Sequence, residues 1–119
     1  AKVVSQIGSR HMEVIERWGE MLRSNRYVRR SWLGEDMLSR GTWSEPIIVL
    51  APEPGGHYPD GQPLPQPYCL LEGHHRLGYL RSMAEDGLPL QSEHQVWICR
   101  PVRDTQTFLP ANPASEINF

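Results

Sequence analysis

Between Ala51 and Pro67 the chain reads APEPGGHYPDGQPLPQP, with six prolines and three glycines in 17 positions. Proline fixes φ and removes the backbone N–H, so neither a helix nor a central strand can run through this segment. It therefore divides the chain. Immediately before it stands PIIVL (Pro46 to Leu50) and immediately after it YCLLE (Tyr68 to Glu72). Both runs are apolar without polar alternation, which predicts two strands buried on both faces and joined by a long loop. Long loops in compact domains carry function or motion. A disordered loop is the plainer reading here, and a lid that brings His57 and Tyr58 over a ligand is the sharper one.

The remaining elements follow from periodicity. Met12, Ile15, Trp18 and Leu22 recur at helical spacing, predicting an amphipathic helix from about Ser9 to Tyr27 with Ser9 as N-cap. A short second helix is expected over Glu35 to Ser39, stopped by Gly41. Leu77, Leu80, Met83 and Ala84 mark one face of a helix from about His74 to Glu85, ended by Gly87. QVWIC (Gln95 to Cys99) predicts a third strand. The order helix, strand, long loop, strand, helix, strand defines a small α/β domain with a short mixed sheet flanked by helices. With 119 residues there is one core and one domain. It divides into a helical region over 1–34, a motif-bearing core over 35–100 and an irregular tail over 101–119. His11 and His94 read as surface residues, and Trp18, Trp32, Trp43 and Trp97 as core or partner-facing.

A net charge of −2 argues against a chain that coats nucleic acid by bulk positive charge. The charge is uneven, however. Lys2, Arg10, Arg17, Arg23, Arg26, Arg29 and Arg30 face only Glu13, Glu16 and Glu20 in the first 33 residues. That excess reads first as a solvated helix face and second as a surface for DNA or a protein partner, centred on Arg23, Arg26, Arg29 and Arg30. Cys69 and Cys99 make no disulfide framework and suit buried thiols in a reducing compartment. The first residues lack the apolar core and small-residue cleavage site of a signal peptide, and no run approaches a membrane span, so the expected location is the cytoplasm without a membrane partner.

The chemistry concentrates at one junction, Glu72-Gly73-His74-His75-Arg76. A strand that turns through glycine straight into a helix leaves unpaired N–H groups at the positive end of the helix dipole, which suits an anion. Gly73 lets backbone approach a ligand closely. Cationic side chains in the first helical turn conflict with the dipole unless an anion is bound, a conflict expected at functional sites. Arg76 can fork onto phosphate oxygens, and a histidine can donate a hydrogen bond or shuttle a proton. Glu72 can hold a divalent metal or orient a hydroxyl. The most economical ligand is a nucleotide phosphate; a polar surface turn is the competing reading. Adjacent histidines point to different faces and make a poor zinc site. Neither a Walker-type loop nor a Rossmann fingerprint is present.

LLEGHHRLGYLRSM, from Leu70 to Met83, resembles the strand-to-helix motif of the ParB/sulfiredoxin superfamily, and SRGTWSEPIIVL, from Ser39 to Leu50, is similar to the box that precedes it. The match runs from about Glu35 to Cys99. It implies a compact α/β domain that cradles nucleotide phosphates, with Gly73, His74, His75 and Arg76 on the phosphates and Glu72 in a position that assists Mg²⁺ binding or catalysis. The implied cofactors are ATP, ADP or CTP, and the implied activity is phosphoryl transfer or nucleotide hydrolysis, with Glu72 and His75 as the reacting pair. Members include CTP-binding partition proteins, sulfiredoxins, free-serine kinases and nucleases. His74 stands where sulfiredoxin needs its cysteine, which argues against a sulfinic acid reductase. The Glu-Gly-His-His-Arg form is closer to the free-serine kinase type, which also needs an earlier glutamate, for which Glu35 and Glu45 are the candidates. The alternatives are a DNA- or protein-binding module without turnover, and a nuclease.

Overall fold

The computed structural model describes residues 4–101, 108–110 and 115–118. A short 3₁₀ turn, Val4–Gln6, leads into strand β1 (Ile7–Gly8), followed by helices α1 (Met12–Ser24), α2 (Arg26–Arg29) and α3 (Trp32–Arg40). Strand β2 (Ile47–Leu50), strand β3 (Tyr68–Glu72), helix α4 (His74–Glu85) and strand β4 (Glu93–Pro101) complete the motif-bearing part. Two further strands, β5 (Phe108–Pro110) and β6 (Ser115–Asn118), lie in what the sequence suggested was an irregular tail. Both pair antiparallel with β4, β6 along Glu93 to Val96 and β5 along Cys99 to Pro101. The proline in β5 helped to hide it, because edge strands tolerate proline where central strands do not.

The sheet runs β1-β3-β2-β4-β5, with β6 also on β4. β2 is antiparallel to β3 and parallel to β4, while β1 is parallel to β3, so the sheet is mixed. The expected α/β domain with a short mixed sheet flanked by helices is what forms. Ile47, Val49, Leu70, Val96 and Ile98 supply the sheet's share of one core, into which Ile15, Leu22, Met37, Leu77, Leu80 and Met83 pack from the helices. Each such burial contributes about 1.5–3 kcal/mol relative to exposure. β3 departs from the doubly buried expectation: Leu71 and Glu72 emerge from the core at its end.

The proline-rich segment has no helix or strand but is folded back on itself. Tyr58 and Gln62 bond through the backbone, and so do Leu64 and Gly56. The guanidinium of Arg10 covers the Tyr58 ring at 3.8 Å and pairs with Asp60, and the Tyr58 hydroxyl lies 3.4 Å from Cys69 Sγ. The loop is thereby fastened to the β1–β3 edge.

Helices α1 and α4 cross at two glycines. A Cβ added to Gly19 would lie 2.7 Å from the Gly78 carbonyl oxygen, and one added to Gly78 would lie 2.3 Å from that of Ile15. Only hydrogen at both positions allows this approach. Arg81 ties α4 to β1 by donating from Nη2 to the Ile7 carbonyl at 2.7 Å. Gly78→Ala should therefore destabilise the domain by about 1–3 kcal/mol, read as a lower denaturant midpoint. An unchanged midpoint would contradict the tight crossing.

His94, expected at the surface, is buried instead. It stands in phase with Val96 and Ile98 on β4, so the strand's alternation turns it inward. Its Nδ1 shares a hydrogen bond with Thr42 Oγ1 at 2.6 Å, and Trp43, which donates from Nε1 to the Gln95 carbonyl at 2.7 Å, lies beside its ring. Burial holds its pKa below the ordinary histidine value. The unfolded chain then binds a proton that the folded chain resists, so stability is full above the unfolded value of about 6.5 and falls as pH drops below it. Urea midpoints measured between pH 7.5 and pH 5 should fall less steeply in His94→Gln than in the unsubstituted protein. Parallel slopes would exclude His94 as the source.

Candidate functional site

β3 ends at Glu72 and α4 begins two residues later, with Gly73 between them at φ 110°. That backbone is left-handed, and a Cβ here would lie 2.5 Å from Ile47 Cγ2. Gly73 is thus demanded by the turn and by the packing of β2 beneath it. It offers no side-chain cap, so the first N–H groups of α4 keep their affinity for an acceptor.

Arg76 is folded inward. Its Nη1 donates to the carbonyls of Glu45 at 2.9 Å and Pro46 at 3.1 Å, and its Nη2 meets both oxygens of Glu72 at 2.7 and 2.6 Å. Only 13% of the side chain is exposed, against 57% for Glu72. The guanidinium expected to hold phosphate ties the start of α4 to the segment entering β2, and the carboxylate expected to hold Mg²⁺ or react is its ion-pair partner.

The two histidines diverge, as consecutive residues must. The His74 ring faces that of His11 at 6.1 Å between centroids, and the His75 ring lies 3.8 Å from Trp18 with an edge contact to Tyr79. Burial lowers the pKa of His74 first, the neighbouring His11 lowers it further, and Glu72 opposes. Burial again leads for His75, followed by His74 and Arg76. Both imidazoles are therefore held neutral at pH 7, able to donate or accept a proton.

Around this turn lies a cleft of about 510 Å³. One wall is the junction itself, Leu71 through Arg76. The other comes from His11, Val14 and Trp18 at the start of α1 and from Leu33 of α3. The site thus joins an uncapped helix terminus and three imidazoles to an apolar wall. His11 and Trp18 had no assigned role in the sequence, yet they stand seven residues apart, two turns along one helix face. That spacing was the available signal.

Other candidates lie elsewhere. His57 and Tyr58 do not line the cleft, because the loop is fastened to the β1–β3 edge. The side chains of Glu35 and Glu45 do not line it either; Glu45 contributes only its carbonyl, to Arg76. Among the described residues no group of three or more His, Cys, Asp or Glu is arranged to hold a metal ion. A second hollow of about 570 Å³, between α1 and α4, is lined mainly by charged side chains. Arg23 pairs there with Glu20 and Glu85, and also with Asp86 nearby. No described helix is long and apolar enough to cross a membrane, and Cys69 and Cys99 are both free thiols.

Comparison with known proteins returned no family model, no curated protein and no solved structure that matches this chain.

The geometry of Arg76 makes a direct prediction. Arg76→Ala should cost about 2 kcal/mol of stability, mainly because two carbonyls lose their charged donor; the exposed Glu72 side adds little. Glu72→Gln should cost distinctly less. Denaturation curves of the two variants check this order, and a neutral Arg76→Ala would refute the structural role.

Proposed function

We propose that this domain binds a nucleoside phosphate in the cleft between α1 and the β3–α4 turn. The observation that carries the reading is the pairing of the uncapped N-terminus of α4 with an apolar wall across the same cleft. The phosphate would lie over the N–H groups of the first turn, beside His74 and His11, while Val14, Leu33 and Trp18 would take the sugar and base. Arg76 and Glu72 position the turn. This differs from the direct phosphate contact by Arg76 that the sequence suggested.

The resemblance of Glu-Gly-His-His-Arg to the ParB/sulfiredoxin motif supports phosphoryl transfer or hydrolysis of ATP, ADP or CTP as the activity. In that chemistry the protein's share is placement and charge stabilisation. A neutral His75 or His74 can take a proton from an attacking hydroxyl. Mg²⁺ would enter with the phosphates, with the exposed carboxylate of Glu72 as its nearest acidic group in the turn.

An anion at this turn raises the pKa of both histidines, so binding takes up protons and tightens as pH falls from 8 to 6. A thermal-shift screen of ATP, ADP, CTP and GTP with and without Mg²⁺ should show stabilisation by at least one of them. His74→Ala should weaken that ligand about tenfold and flatten the pH dependence, measured by titration calorimetry. If no nucleotide at millimolar concentration stabilises the protein, the reading fails.

A further inference from the structure

Arg23, Arg26, Arg29 and Arg30 centre the surface that the sequence suggested for a partner. Arg23 is engaged by three carboxylates and drops out. Arg26, Arg29 and Arg30 are exposed, and among the described residues none of the three is in an ion pair. Between them and just after them stand Tyr27 and Trp32, 74% and 72% exposed, well beyond any other large apolar side chain among the described residues. Arg26 lies over the Tyr27 ring, its Cζ 5.2 Å from the centroid.

This corner is stiff. The Asn25 side chain accepts from the N–H groups of Tyr27 and Val28 at 2.9 and 3.2 Å and caps α2. The Ser31 hydroxyl accepts from Gly34 N–H at 3.1 Å, caps α3, and donates to the Val28 carbonyl at 2.6 Å. A Cβ on Gly34 would lie 2.2 Å from that same carbonyl oxygen, so α2 and α3 meet at closest backbone approach. Two exposed rings and three cations are therefore held on a doubly capped turn, which lowers the entropy lost when a ligand docks.

We infer that the α2–α3 corner is a binding surface for single-stranded nucleic acid, with Tyr27 and Trp32 stacking on bases and Arg26, Arg29 and Arg30 contacting phosphates. Three exposed guanidinium groups outside any ion pair among the described residues suit an anionic partner. Flat rings beside them distinguish among anions: unstacked bases offer π-faces to them, whereas an acidic peptide does not. A duplex hides those faces, and α2, four residues long, is too short to read a groove. This surface is independent of nucleotide binding at the β3–α4 turn.

Fluorescence anisotropy of labelled oligo-dT and of a duplex of equal length, each titrated with the full chain, tests the inference. The single strand should bind more tightly than the duplex, and log K should fall with log salt at a slope of about −2, as expected for three phosphates. Trp32→Ala and Tyr27→Ala should each weaken binding by about 5- to 150-fold without moving the thermal midpoint. Arg29→Ala with Arg30→Ala should flatten the salt slope. Failure of oligo-dT to bind at low salt overturns the inference. So do equal affinity for the duplex, indifference to both ring substitutions, or tighter binding of poly-glutamate, which would identify an acidic protein partner instead.

Discussion

The close crossing of α1 over α4 at Gly19 and Gly78 governs the rest of the molecule. It sets α1 at a separation that lets its N-terminal turn reach the start of α4. Trp18 therefore lands on His75, and His11 comes opposite His74. A wider crossing would leave the β3–α4 turn as an ordinary polar loop at the end of a sheet. The cleft beside the turn is a consequence of helix packing, and its second wall comes from the start of α1 and from Leu33 of α3, neither of which carries a recognisable motif.

The turn itself is over-determined. Gly73 is required by its left-handed backbone and again by Ile47 beneath it, while Arg76 fastens the next turn of helix to the carbonyls of Glu45 and Pro46. Rigid placement of this kind is what an anion site built from backbone N–H groups needs, because those groups cannot adjust individually. It also explains how three basic or ionisable side chains are tolerated at the positive end of a helix dipole. Partial desolvation lowers the pKa of His74 and of the more exposed His75, and Glu72 and the carbonyls satisfy Arg76. The apparent electrostatic conflict in the sequence is resolved within the protein, and so it does not by itself require a ligand.

Much of the fold was legible because its signals are local. The apolar runs at Ile47 and Tyr68, the proline-rich divider and the spacing of Leu77, Leu80 and Met83 each report on their own neighbourhood. The misses are of another kind. α3 starts at Trp32, earlier than expected, because Ser31 caps it and Gly34 sits inside it for packing against Val28, a tertiary reason that helix propensity does not register. His94 was read by residue type when its phase with Val96 and Ile98 was the better guide. The partners that Arg76 finds within the fold, two carbonyls 30 and 31 residues away, leave no trace in composition or spacing.

The same distinction separates the two surfaces. At the β3–α4 turn the motif names residues whose side chains are partly taken up by the fold, so what is left for a ligand is backbone, imidazole and an apolar wall. At the α2–α3 corner no motif is present, yet Arg26, Arg29 and Arg30 remain outside any ion pair among the described residues and the two rings stay uncovered. Exposure of large rings on a stiff corner costs hydrophobic stabilisation that burial would supply, and Val28, Leu33 and Leu38 around them are packed against the core. The fold had apolar surface to turn inward at this corner and turned these two rings out. Availability of side chains, more than likeness of sequence, therefore decides which parts of this chain can act on another molecule.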